Sequence, residues 1–89
     1  MKAVITVTGK DSVGIIAKVA TACAENGANI VDISQSVLDD YFAMIMLADI
    51  DSLHVEFSEF VDKLAALGDA NHLSIHTMHE DIFNTMHHI

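Results

Sequence analysis

Arginine, proline and tryptophan are missing from the 89 residues altogether, and cysteine occurs once, as Cys23. Without arginine the chain has no planar, bidentate fork for a phosphate or carboxylate. A single thiol excludes an internal disulfide, a Cys-x-x-Cys redox pair and a thiolate zinc cluster. With no proline and no low-complexity tract there is no linker, and the length suits one small domain. No apolar run approaches the roughly 20 residues of a membrane span, and the opening Met-Lys-Ala-Val-Ile-Thr-Val-Thr lacks the form of a signal peptide. The expectation is a cytoplasmic protein. Cations are scarce too: four lysines against 13 acids leave a formal net charge of −9. Such a surface repels phosphate backbones and anionic lipid, so direct nucleic-acid binding and membrane association are not expected.

What the chain does hold is apolar residues, 52% of the total, enough for a packed core. From Ala3 to Val7 they alternate as in a strand, which ends at Gly9. Asp11 and Ser12 are good N-caps for a helix entered at Val13, with Val13, Ile16, Ala20 and Cys23 on its inward face. Asn26-Gly27 supplies the stop. Ile30 to Leu38 and Tyr41 to Ile50 read as two strands joined by a turn at Asp39-Asp40. The second is apolar on both faces, which suits a central strand. Asp51 or Ser52 caps a second helix bearing Leu53, Phe57, Phe60, Val61, Leu64 and Leu67 on one stripe and closed by Gly68. His72 to Met78 alternates again. Glu80 to Ile89 reads as a short helix with Ile82, Met86 and Ile89 aligned.

The order strand, helix, strand, strand, helix, strand favours an α+β, ferredoxin-like βαββαβ sandwich. Four antiparallel strands then carry two helices on one face. In that arrangement the strand from Ile30 to Val37 lies at an edge, and unpaired strand edges and faces invite a second copy. The second apolar face of the first helix (Ile15, Val19, Ala22) adds to the expectation of a homo-oligomer, most simply a dimer.

Thr8-Gly9-Lys10-Asp11-Ser12-Val13-Gly14 carries the most chemistry. It leaves a strand and enters a helix whose first N–H groups lack intrahelical partners. A glycine in that first turn leaves the amides open to a small anion such as a carboxylate, favoured by the helix dipole. A plain capped turn has the same residues. The pattern Asp11-Ser12-Val13-Gly14-Ile15-Ile16, followed by Gly27-Ala28-Asn29-Ile30, resembles an ACT domain. Among such domains it is similar to a small stand-alone bacterial family related to the glycine cleavage system transcriptional repressor. The resemblance covers residues 1–79, with 80–89 as a C-terminal helical extension of the same domain.

That resemblance implies a small-ligand-binding, amino-acid-responsive regulatory module that acts through ligand-dependent association with itself or a partner protein. It implies no catalytic site and no cofactor. Carried over by position, the ligand-binding residues are Asp11, Ser12, Val13, Gly14 and Asn29. The amides of Ser12 to Gly14 take the ligand carboxylate, while Asp11 and Asn29 meet its ammonium group. The competing reading is a protein–protein assembly module that needs no ligand.

Other chemistry finds little support. Five of the six histidines lie between His72 and His88, but on a strand His72 and His76 stand about 13 Å apart, too far for two ligands of one zinc. Small acylphosphatases share this topology and grip phosphate with an arginine, which is absent here. No serine lies in a nucleophile-elbow pattern. Met44, Met46 and Met78 suit core or subunit contacts, and Cys23, on the apolar stripe, reads as a buried structural thiol.

Overall fold

The computed structural model describes residues 1–10 and 14–86. The element order is β1 (Lys2–Gly9), α1 (Ile15–Glu25), β2 (Asn29–Leu38), β3 (Tyr41–Asp49), α2 (Phe57–Ala70), β4 (Ser74–His79) and α3 (Glu80–Met86). The strands form one antiparallel sheet in the order β2-β3-β1-β4. This is the ferredoxin-like arrangement read from the sequence, with β2 and β4 at its edges. No helix among the described residues is long and apolar enough to cross a membrane.

Alternation sorts the side chains of the two central strands. Ile5 and Val7 of β1, with Phe42, Met44 and Met46 of β3, are buried against the helices. From α1 the core receives Ile15, Val19 and Cys23, and from α2 it receives Phe60 and Leu64. β3 is central, as expected, but only one of its faces is buried. Tyr41, Ala43 and Ile45 on the other face are exposed.

Helix boundaries differ from the sequence reading in instructive ways. α1 begins at Ile15 with Gly14 as its N-cap, two residues after Val13. Asp11 and Ser12, the expected caps, lie outside the described residues. The buried stripe is Ile15, Val19 and Cys23, while Ile16 and Ala20 are only partly buried. Ile15 and Val19 therefore belong to the core and not to an outward, dimer-forming face. α1 is apolar on most sides (Ile-Ile-Ala-Lys-Val-Ala-Thr-Ala-Cys-Ala-Glu), so periodicity alone does not select the inward stripe. Packing against the sheet does.

The second helix starts at Phe57, not after Asp51 or Ser52, and Glu56 is its N-cap. Residues 51–56 instead dock as a loop, with the His54 N–H donating to the Asn26 carbonyl at 2.8 Å. Leu53 and Val55 pack on the core from that loop. Gly68 does not end the helix; it is buried inside it, and the chain runs on to Ala70. A Cβ at Gly68 would lie 2.8 Å from the Leu73 carbonyl and from Ile75 Cγ1. The glycine thus lets α2 approach the start of β4. At the C-terminus α3 spans seven residues, and Ile89 lies outside the described residues.

The stripe assignment has a direct test. Ile15→Ala should lower the unfolding free energy by about 2–5 kcal/mol, the usual cost of emptying a core isoleucine site. Ile16→Ala should cost clearly less. Urea unfolding midpoints of the two variants report the difference.

Candidate functional site

The turn between β1 and α1 ends at Gly14, whose backbone is left-handed (φ 74°, ψ 0°). Only glycine takes this conformation without a steric penalty. A Cβ placed there would meet no heavy atom within 4 Å among the described residues. Gly14 makes no side-chain capping bond, and its carbonyl accepts the first helical bond from the Lys18 N–H at 3.1 Å. The helix therefore starts from a left-handed, exposed glycine.

At the end of β1, against the β2–β3 hairpin, lies a hollow of about 300 Å³, lined by Thr8, Gly9, Ser36, Tyr41, Phe42 and Ala43. The Lys10 ammonium sits 5.6 Å from the centre of the Tyr41 ring, in cation–π range. Two hydroxyls, a phenol and one cation thus gather where β1 gives way to the turn. Thr8, Ser36 and Tyr41 were not among the residues chosen from the sequence. Strand register brings them together: Ser36 pairs with Ala43, and Ala43 with Thr8. The Asp39-Asp40 turn, read from the sequence, sets the pairing of Ser36 with Ala43, whereas the pairing of β3 with β1 is long-range and is not fixed by local pattern.

Of the five residues chosen from the sequence, the structure describes Gly14 and Asn29. They do not meet within one chain. Asn29 opens β2 opposite Asp49, at the end of the sheet where β1 begins at Lys2. Gly14 lies at the other end, with the 11 residues of α1 between them, about 16 Å of helix. Asp11, Ser12 and Val13 lie outside the described residues. A second hollow of about 370 Å³, between Ala17, Lys18, Thr21 and Leu67, is a seam along α1 and α2. Lys18 there donates to Asn71 Oδ1 at 2.6 Å.

The other reactive groups have plain partners. His76 Nε2 is 3.0 Å from Ser74 Oγ, and His79 packs edge-on against Phe57 with Asp81 3.6 Å from its Nδ1. Among the described residues no group of three His, Cys, Asp or Glu side chains is placed to hold a metal ion. Cys23 is buried in the core, and desolvation pushes its thiol up to about 11. It is a core side chain, not a nucleophile.

Comparison with known proteins now settles the family. Residues 2–77 match the ACT domain. The chain belongs to the ACT domain family. A UPF0237 protein of Listeria monocytogenes is 48% identical over 87 residues, covering 98% of each chain. An ACT domain protein from Streptococcus pneumoniae has the same fold, with a TM-score of 0.82, 42% identity and 93% of each chain covered. A putative glycine cleavage system transcriptional repressor is also similar, with a TM-score of 0.67 and 27% identity. That match takes in 85% of this chain and 43% of the other. ACT domains are in general small-ligand-binding regulatory modules, and this one has a left-handed glycine at the head of α1.

Two measurements probe the site and the thiol. Gly14→Ala should cost about 1–2 kcal/mol, because a Cβ disfavours the left-handed backbone. Gly14→Asn should cost less, since asparagine tolerates that region; chemical denaturation ranks the three proteins. Cys23 adds a pH dependence whose sign follows from its raised folded-state pKa. Its contribution is complete below the ordinary thiol value of 9.0 and declines as pH rises from 9.0 toward 11. The stability gap between wild type and Cys23→Ala should therefore narrow across that range.

Proposed function

We propose that this ACT domain is a cytoplasmic regulatory module that binds an amino acid or a similar small carboxylate. It would act through ligand-dependent association with itself or with a partner protein. The observation that carries the reading is the left-handed Gly14 at the head of α1, exposed and, among the described residues, with no heavy atom within 4 Å of where a Cβ would lie. Helix N-termini favour anions because their first amides lack partners and the dipole is positive there.

In this reading the amides of Ser12, Val13 and Gly14 donate to the ligand carboxylate. Asp11 meets the ammonium group, together with Asn29 of the partner subunit. One chain cannot present Gly14 and Asn29 to the same small molecule, so a shared ligand calls for two copies. β2 is the natural seam. It is an edge strand, and Val37 on it is 71% exposed. The same edge supports the alternative reading, in which copies assemble with no ligand at all.

A thermal shift screen with the amino acids separates the two. A ligand at 100 times its Kd adds about 2.7 kcal/mol of stability, a rise of roughly 10 °C or more in Tm for a domain of this size. One or a few amino acids should produce such a rise. A melting temperature unmoved by all of them, in a protein that still self-associates, leaves assembly alone standing.

A further inference from the structure

On the second face of the sheet, the one turned away from α1 and α2, Ala43 is a small residue among larger ones. Along β3 it stands between Tyr41 and Ile45, which are 57% and 47% exposed. Across the strands it is level with Ser36 on one side and Thr8 on the other. A methyl among these side chains leaves a dip, and the hollow of about 300 Å³ at the end of β1 is that dip. Continuing the register past the Gly9–Phe42 pair brings Lys10 level with Tyr41, and its ammonium lies 5.6 Å from the ring centre. From the core side, the Leu73 side chain fills the place that a Cβ of Gly9 would take, which pins the end of β1.

We propose that this hollow binds an uncharged, flat heteroaromatic ring of nucleobase type, stacked on Tyr41 and held at its edge by Thr8, Ser36 and Lys10. The volume is at the low end for a small-molecule site, enough for one ring system. An exposed phenol ring offers a stacking surface worth more than its area alone. Toward β4 on the same face, Thr6 Oγ1 donates to the His76 carbonyl, and Ser74 Oγ is 3.0 Å from His76 Nε2. Among the described residues the hydroxyls of Thr8 and Ser36 make no such bond, and each can donate to or accept from a ring edge. The Lys10 ammonium only donates, so it calls for an acceptor there, a ring nitrogen or an exocyclic carbonyl.

Charge selects among rings. The chain carries a formal charge of −9, Asp39 and Asp40 adjoin Tyr41 in the hairpin turn, and Asp11 follows Lys10 in the sequence. A ring with net negative charge is therefore repelled. A cationic ring is refused by the Lys10 ammonium already placed over the phenol. A neutral ring meets neither penalty. None of the residues that form the hollow is among Ser12, Val13, Gly14 and Asn29, so the inference does not rest on the amino-acid reading.

Tyr41 is the only tyrosine in the chain, so proton–carbon correlation signals of the tyrosine ring report on this hollow alone. The probe is adenosine, which has neither the carboxylate nor the ammonium of an amino acid, added to the full chain. The Tyr41 ring signals should move upfield along a saturating curve with a Kd of about 1 mM or tighter, the scale of one stacked ring. Adenosine monophosphate should bind several-fold more weakly at low salt, with the gap narrowing as salt is added. Lys10→Gln should weaken adenosine binding several-fold, whereas Lys18→Gln, which removes a cation from α1, should leave it unchanged. Ala43→Leu and Ser36→Val fill the dip from exposed positions and should abolish the saturating shift, with circular dichroism melts confirming that each folds. No saturating shift in wild type, or a monophosphate that binds as tightly as the nucleoside, overturns the proposal. So does an unchanged titration in folded Ala43→Leu, Ser36→Val or Lys10→Gln, or an equal loss in Lys18→Gln.

Discussion

Two long helices cannot cover both faces of a four-stranded sheet, and the molecule is organised around that shortage of cover. Burial is concentrated where β1 and β3 lie side by side beneath α1 and α2, with Ile5, Val7, Met44 and Met46 each nearly inaccessible to solvent. At about 25 cal/mol per Å² of apolar area, these residues supply much of what offsets chain entropy in so short a domain. Everything outside that sandwich is thinly protected. Among the described residues, α3 lies against β1 and β4, Ile45 on the second face of β3 is exposed, and the β2 edge ends the sheet with exposed apolar side chains.

The strands were legible because β1 and β3 follow a period of two, and the central position of β3 follows from the topology rules for consecutive elements. The helices were less so, for identifiable reasons. α1 has apolar residues all round, so the stripe of Val13, Ile16, Ala20 and Cys23 and the stripe of Ile15, Val19 and Cys23 satisfy the same spacing. The sheet chooses between them. Asp51 and Ser52 have good capping chemistry, yet a backbone bond from His54 to Asn26 holds that segment as a loop. Gly68 imitates a stop signal while serving a close helix–strand approach. Tertiary contact overrode local propensity at each of these places.

The site shows the same division. Gly14 stood out in the sequence as a glycine at a strand-to-helix junction, and its left-handed backbone explains why a glycine is there. Asn29 stood out by position in a family pattern, and the topology sends it to the far end of the sheet. A helix of 11 residues returns the chain to where β1 began, so the residue after it cannot face the residue before it. Thr8, Ser36 and Tyr41 were invisible for the opposite reason: Thr8 is distant in sequence from the other two and joins them only through strand register.

That geometry bears on how a module of this kind could signal. A ligand held by one chain alone stabilises the fold but tells a second copy nothing. A ligand gripped by Gly14 of one subunit and Asn29 of its partner must, by linkage, tighten association by the factor by which association tightens the ligand. The β2 edge is where such coupling belongs, because it joins the two ends of the sheet that one chain keeps apart.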